Sequence, residues 1–222
     1  MKHTLIYKAL LICCISIISI SCISDQPTLN FDDEILSEYF SKENKRVLKE
    51  IISYVDSIVR SRISESDIER SYHAFLDSVR FSEDAKYGAV NEEMKYEYLE
   101  SLDTSVFNDI WIKDTPPLIW TIDTVLYSPE CLESLWLNGD GKFVEMIGDL
   151  GEENEIYKNY HERIMMQGSL SPTVYGGFLV NHEEFNFNNI HDRLWAAVFI
   201  LCIEESVERK VERYLSKQID PE

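Results

Sequence analysis

Apolar residues recur at helical spacing through the first half of the chain. From Ile35 to Val59 they fall three or four positions apart with charged residues opposite, which predicts one long helix or two helices joined near Asn44. Ser66 and Glu69 have the spacing of a capping box, and an apolar stripe from Ile68 to Val79 follows them. This part of the chain is therefore predicted to be helical.

The helical pattern continues to a pair of prolines. A third helix is predicted from about Glu92 to Leu102, with Asn91 as its N-cap, and a short helical turn from Val106 to Trp111. Pro116 and Pro117 then interrupt the pattern, because proline lacks a backbone N–H and restricts the residue before it to extended geometry. We place a structural boundary there.

After the prolines the pattern favours strands. Residues 118–128, LIWTIDTVLYS, are rich in β-branched and aromatic side chains and predict one strand. Residues 135–147, LWLNGDGKFVEMI, place Asn-Gly and Asp-Gly between apolar runs, which predicts a hairpin. Residues 173–180, TVYGGFLV, predict another strand with a glycine kink or bulge.

Two further helices complete the pattern. One is predicted from about Glu153 to Met166 with Gly168 as its C-terminal cap, and one opens near Asn188 or Asn189, with a buried first half around 194–203. The fold class is therefore α+β, with N-terminal helices followed by a small antiparallel sheet with packed helices. We expect a single domain over 32–222, with a helical part at 32–112 and a mixed part at 118–222.

The first 21 residues have a different layout. Lys2, His3 and Lys8 are followed by an apolar or small run from Ala9 to Ile20, and the first acidic residue is Asp25. This is the layout of an export signal, and the run is shorter than the roughly 20 apolar residues that span a bilayer. We expect residues 1–21 to be a signal peptide.

The residues that end this segment carry a family resemblance. Ser19, Ile20, Ser21 and Cys22 resemble the lipobox of bacterial lipoprotein signal peptides, although Ser19 stands where leucine is usual. The resemblance implies cleavage before Cys22, acylation of its sulfur by a palmitate-type chain, and a lipid-anchored protein on the periplasmic or outer-membrane side of a cell envelope. Residues 22–31 would then be the lipidated cysteine and its tether, and no family resemblance extends to the rest of the chain.

Charge narrows the choice of partners. Without residues 1–21 the chain keeps 19 basic and 40 acidic residues, a formal charge of −21. Nucleic acid is therefore not an expected partner, since its binding requires a basic surface. We expect contact with the membrane through the N-terminal lipid, and a protein partner that is basic if the acidic surface attracts it.

Candidate chemistry is sparse. The NGDG sequence fails as a calcium loop, because Trp136 and Ile147 would occupy its first and last ligand positions. His161 and His182 each precede a glutamate but lack the second histidine of a zinc-protease motif. No catalytic residue, metal site or cofactor is predicted. One polar connection remains as a candidate functional loop, with the residues His182, Glu183, Glu184 and His191.

Two cysteines remain in the mature part of the chain. Cys131 and Cys202 form a candidate disulfide in an oxidising envelope, and the alternative is that they are buried free thiols. The signal segment, the acidic charge and the lack of a catalytic motif together predict a non-catalytic envelope lipoprotein that binds a partner. An immunity or inhibitor protein is among the possible roles. The alternative is an envelope hydrolase whose site is assembled from residues distant in sequence.

Overall fold

The computed structural model describes residues 28–81, 89–115, 119–120, 125–126 and 133–219. Within these ranges the chain is mostly helical and has two short antiparallel strand pairs, so the α+β class is confirmed in outline. The predictions on the signal segment, on Cys22 and on Cys131 lie outside the described residues. In these ranges, every helix is too short or too polar to cross a bilayer.

The elements follow one another along the chain with short connections. The helices are α1 Glu34–Tyr39, α2 Lys42–Arg62, α3 Ile68–Phe81, α4 Glu92–Ser101, α5 Thr104–Ile110, α6 Lys142–Glu153, α7 Glu155–Gln167, α8 Pro172–Asn181, α9 Ile190–Leu201 and α10 Val207–Ile219. The strands are β1 Trp111–Asp114, β2 Ile119–Trp120, β3 Val125–Leu126 and β4 Ser134–Leu137. A 3-10 helix at His182–Glu184 connects α8 to the turn before α9.

The N-terminal helices agree with the sequence pattern except in one cap. The first stripe forms two helices, because the Ser41 hydroxyl accepts a hydrogen bond from the Asn44 N–H at 3.2 Å and starts α2 there. Asn91 caps α4 as predicted. The capping box at Ser66 is wrong, since the Asp67 carboxylate accepts from the Arg70 N–H at 2.9 Å and occupies that role one residue later.

The hairpin predicted over 135–147 is wrong. Strand β4 pairs with β1 instead, and the chain becomes helix α6 directly after Gly141. Gly168 is the one described residue with a positive φ, so Gly139 and Gly141 do not form the turn that the prediction required. A Cβ on Gly139 would lie 2.6 Å from the Gly168 carbonyl oxygen, and one on Gly141 would lie 2.4 Å from the Asp109 carbonyl oxygen. These glycines permit close backbone contacts.

Two other strand predictions are also corrected. Within residues 118–128 the described parts are two short strands, β2 and β3, which pair antiparallel with Ile119 opposite Leu126. Residues 173–180 lie in helix α8, because the Ser171 hydroxyl caps it and Pro172 fits its first turn. Val174 and Phe178, one turn apart, are both buried, and this contact with the core outweighs the local preference for a strand.

Helix α9 is the centre of the core. Every one of its residues except Asp192 is buried, which confirms the buried helix predicted over 194–203 as far as Leu201; Cys202 is partly buried and lies after the helix. The single C-terminal helix that the sequence predicted is two helices, since α9 ends at Leu201 and α10 starts at Val207. Helix α9 packs on α2, α8 packs on α3, and α6 packs on α1 and α7.

Candidate functional site

The candidate polar loop does not form one site. His182 is buried against α3, whereas His191 faces Asp33 at the start of α1. Glu183 and Glu184 are exposed. Phe185 and Phe187, which lie between His182 and His191 in the chain, are buried in the core. The two histidines therefore lie in two separate places, and the two glutamates face solvent.

The first place is a histidine cluster made of His73, Asp77 and His182. The two histidines meet Nδ1 to Nδ1 at 2.9 Å, and His182 Nε2 lies 3.1 Å from Asp77 Oδ1. His73 and Asp77 lie one turn apart on α3, so their side chains share a helix face. The signal of this cluster in the sequence is the i, i+4 spacing of His73 and Asp77. It is overlooked when only pairs of histidines are considered.

Proton positions in the histidine cluster follow from these contacts. An ionised Asp77 accepts the hydrogen on His182 Nε2, so a neutral His182 has a bare Nδ1 that accepts the His73 Nδ1–H. Burial, and then repulsion from His182 when that ring is protonated, lower the pKa of His73 below its usual value, while Glu183 and Asp77 act in the opposite direction. His73 is therefore held in its neutral form at neutral pH.

The second place is the contact between His191 and Asp33. His191 Nε2 lies 2.9 Å from Asp33 Oδ1, and the same carboxylate accepts the Leu36 N–H at 3.0 Å as the cap of α1. Burial raises the pKa of Asp33, but the Leu36 N–H and His191 outweigh it and hold that pKa below its usual value. Asp33 thus fixes α1 to α9.

Beside this contact lies a groove of about 750 Å³, between the start of α1, the end of α6 and the starts of α7 and α9. We name it the acidic groove, after the carboxylates that line it: Asp33, Glu34, Asp149, Glu152, Glu153 and Asp192. Two of these accept hydrogen bonds from tyrosines, Asp149 from Tyr39 at 2.5 Å and Asp192 from Tyr157.

The open part of the acidic groove carries negative charge. Glu34, Glu152 and Glu153 are exposed there. The groove therefore suits lysine or arginine side chains of a partner and repels anions. Sequence reasoning missed it because its carboxylates come from elements that lie far apart in the chain.

A further set of charges is buried and structural. Lys95 is fully buried, donates to the Ile203 carbonyl oxygen at 3.0 Å, and lies 3.8 Å from Glu92 and 3.6 Å from Glu204. Lys210 lies 2.8 Å from both of these carboxylates. Buried charges need such partners, and here they fix α10 and the preceding turn to α4.

Chemistry beyond these contacts is limited in the described part of the chain. No group of three or more His, Cys, Asp or Glu side chains there is arranged to hold a metal ion. Cys202 has no disulfide partner among the described residues, and burial raises the pKa of its thiol to about 12. Because Cys131 lies outside the described residues, the disulfide stays a prediction.

Comparison with known proteins identifies no relative. No family model matches the chain, and neither the curated proteins nor the solved structures give a significant match.

Proposed function

We propose that the chain is a lipid-anchored protein of a bacterial cell envelope that binds a partner and has no catalytic role. The observation that carries the proposal is Cys22, which follows a small residue at the end of a basic and then apolar segment. Each buried acyl CH₂ contributes about 0.8 kcal/mol, and two or three chains make attachment durable where one does not.

The anchor would hold the acidic groove close to the membrane. Asp33, which lines that groove, follows Cys22 by eleven residues. An extended chain covers at most about 3.6 Å per residue, so this edge of the groove would lie within about 40 Å of the anchor.

The charge supports a basic partner protein. The mature chain would carry −21, and the acidic groove presents exposed carboxylates. Opposite charge speeds the encounter of two proteins and disfavours acidic competitors. An immunity or inhibitor protein, which meets a toxin or an enzyme at the membrane, has this kind of role.

The test of the anchor is metabolic labelling with an alkyne analogue of palmitate. The full chain should incorporate the label and partition into the detergent phase, and Cys22→Ala should do neither. Cys14→Ala is the matched control, because Cys14 lies in the segment that would be removed, and it should label like the wild type. Equal labelling of Cys22→Ala and the wild type would contradict the anchor.

The histidine cluster favours the alternative of an envelope hydrolase. In that role the half-exposed ring of His73, oriented through His182 by Asp77, would act as a base. Incubation with purified cell-wall polymer separates the two functions. Release of soluble fragments by the wild type and not by His73→Asn would replace the binding role, whereas no release by either supports it.

A further inference from the structure

Residues 182–189 contact α3 through a small number of side chains. The segment is also held to α9, where Asp192 accepts the Asn186 N–H at 2.7 Å and Arg193 donates to the Phe187 carbonyl oxygen at 3.1 Å. His182 bonds to His73 and Asp77, and Asn188 donates a hydrogen bond to Glu69. The Phe187 ring lies 4.7 Å from the His73 ring and 5.0 Å from the Tyr72 ring. The histidine pair is therefore at the centre of this contact.

The pair can hold one additional proton but not two. With one, His182 is an imidazolium that donates to Asp77 and to the bare Nδ1 of His73, and both hydrogen bonds persist. With two, both Nδ1 atoms carry hydrogens, their hydrogen bond is lost, and two positive rings face each other across 2.9 Å. Free histidines titrate near 6.5, so once the segment is released the two separated histidines, His73 on α3 and His182 in the segment, can both accept protons.

The surrounding charges do not compensate the second proton. Asp77 bonds to His182 and is half-exposed, and Glu183 is exposed, so both act through solvent-screened fields. Glu69 is bonded to Asn188. On the neighbouring elements, α8 has no charged residue. Asp56 of α2, which accepts from the Tyr72 hydroxyl next to His73 in the chain, is paired with Arg193. The contact thus supports one imidazolium.

From this geometry we propose that the histidine cluster is an acid-sensitive latch, which docks residues 182–189 on α3 at neutral pH and releases them in acid. In acid the docked form binds at least one proton fewer than the released form, because the two Nδ1 atoms that face each other at 2.9 Å cannot both carry hydrogens. The equilibrium constant for release therefore rises about tenfold for each pH unit until the carboxylates titrate. Release exposes Phe187, which is fully buried in the docked form.

Hydrogen exchange of the full chain tests the latch. The reporters are backbone amides that are hydrogen-bonded in the docked form, Phe185 to the His182 carbonyl and Asn189 to the Asn186 carbonyl. After correction for intrinsic exchange rates, their protection should fall about tenfold between pH 6 and pH 5. The amides of α9 from Leu194 onward, which bond within that helix, should keep their protection over this range, whereas the first amides of α9 bond to Asn189 and are not used as a control. A constant protection at 182–189 would overturn the proposal.

Substitutions then assign the effect to the pair. His73→Asn keeps a polar δ-atom facing His182 that can donate or accept and does not titrate, so the pH dependence should disappear. His161→Asn removes a half-exposed histidine on α7 and should leave the pH dependence of protection at 182–189 unchanged. Asp77→Asn should move the onset of release to higher pH, since even the first proton loses its counter-charge.

A measurement on the wild type covers the case in which a variant does not fold. NMR titration of the ring resonances should show that His73 and His182 together take up one proton while residues 182–189 stay docked. Uptake of two protons by the docked form would exclude the latch.

Discussion

Arg193 and Asp56 form a bidentate ion pair in the core, with Nε to Oδ1 at 3.0 Å and Nη2 to Oδ2 at 2.5 Å. Arg193 is 4% exposed. The Tyr72 hydroxyl donates to Asp56 Oδ1 at 2.8 Å, and Arg193 Nη1 donates to the Phe187 carbonyl oxygen at 3.1 Å. This pair therefore joins α2, α3 and α9 around one buried guanidinium.

Removing one partner of this pair should be costly. Asp56→Ala is expected to lower the free energy of unfolding by about 3–5 kcal/mol, because it leaves a buried guanidinium without its counter-charge. Glu50→Ala, on the same helix, removes an exposed partner of Arg46 and should cost less than about 1 kcal/mol. Urea denaturation of both variants measures the difference, and equal losses would refute the structural role of Asp56.

Glu204 should make stability depend on acid pH. Burial raises its pKa, but Lys95 and Lys210 outweigh this and hold the pKa below its usual value. The folded state thus favours the carboxylate, so its contribution is present above about pH 4.3 and is lost as the pH falls through the folded-state pKa. Glu204→Gln should lower stability at pH 7 and flatten the loss below about pH 4.5. Glu162→Gln, an exposed change on α7, is the control.

Two glycines should respond in opposite directions to alanine. Gly168 ends α7 with φ 77°, where a Cβ is strained, so Gly168→Ala should lower the free energy of unfolding by about 1 kcal/mol. Gly176 lies within α8, and a Cβ added there would enter open space. Gly176→Ala should therefore raise the free energy of unfolding by about 0.5–1 kcal/mol. Thermal unfolding of the two variants, compared with the wild type, measures the direction of each change.

The helical part was predictable because its signals are local. Asn91 and Gly168 act as caps with their own neighbours, and the stripe from Ile68 to Val79 needs only a surface on which to pack. The structural role of Gly139 and Gly141 could not be predicted from their sequence neighbours. Their reason is a contact with the backbones of Asp109 and Gly168, which the tertiary fold alone brings near.

The sites were predictable only in part. His182 and His191 were found because they lie in one polar stretch, but their partners His73 and Asp33 are distant in the chain, at separations of 109 and 158 positions. No spacing rule covers such distances. The separation of the two histidines into different places likewise depends on tertiary contacts, with α3 for His182 and with α1 for His191.

The acidic groove should bind basic peptides through charge. A fluorescent peptide rich in lysine and arginine is expected to bind the wild type more tightly than the Glu152→Gln, Glu153→Gln double variant, by a few-fold at low salt, since each exposed pair contributes less than about 1 kcal/mol. The difference should vanish at high salt. A double variant of exposed acids outside the groove, Glu43→Gln with Glu162→Gln, is the charge-matched control. Equal affinities of the two double variants would assign the binding to net charge alone.

Alkylation of Cys202 should distinguish a free thiol from a disulfide. Because burial raises the pKa of the Cys202 thiol to about 12, its thiolate is scarce at about pH 8, and iodoacetamide should modify it slowly in the folded protein. In urea without reductant, a free thiol is modified rapidly, whereas a Cys131–Cys202 disulfide is not. Intact mass after each treatment decides between them. Modification of both cysteines in urea would exclude the disulfide, and rapid modification in the folded state would show that Cys202 is accessible.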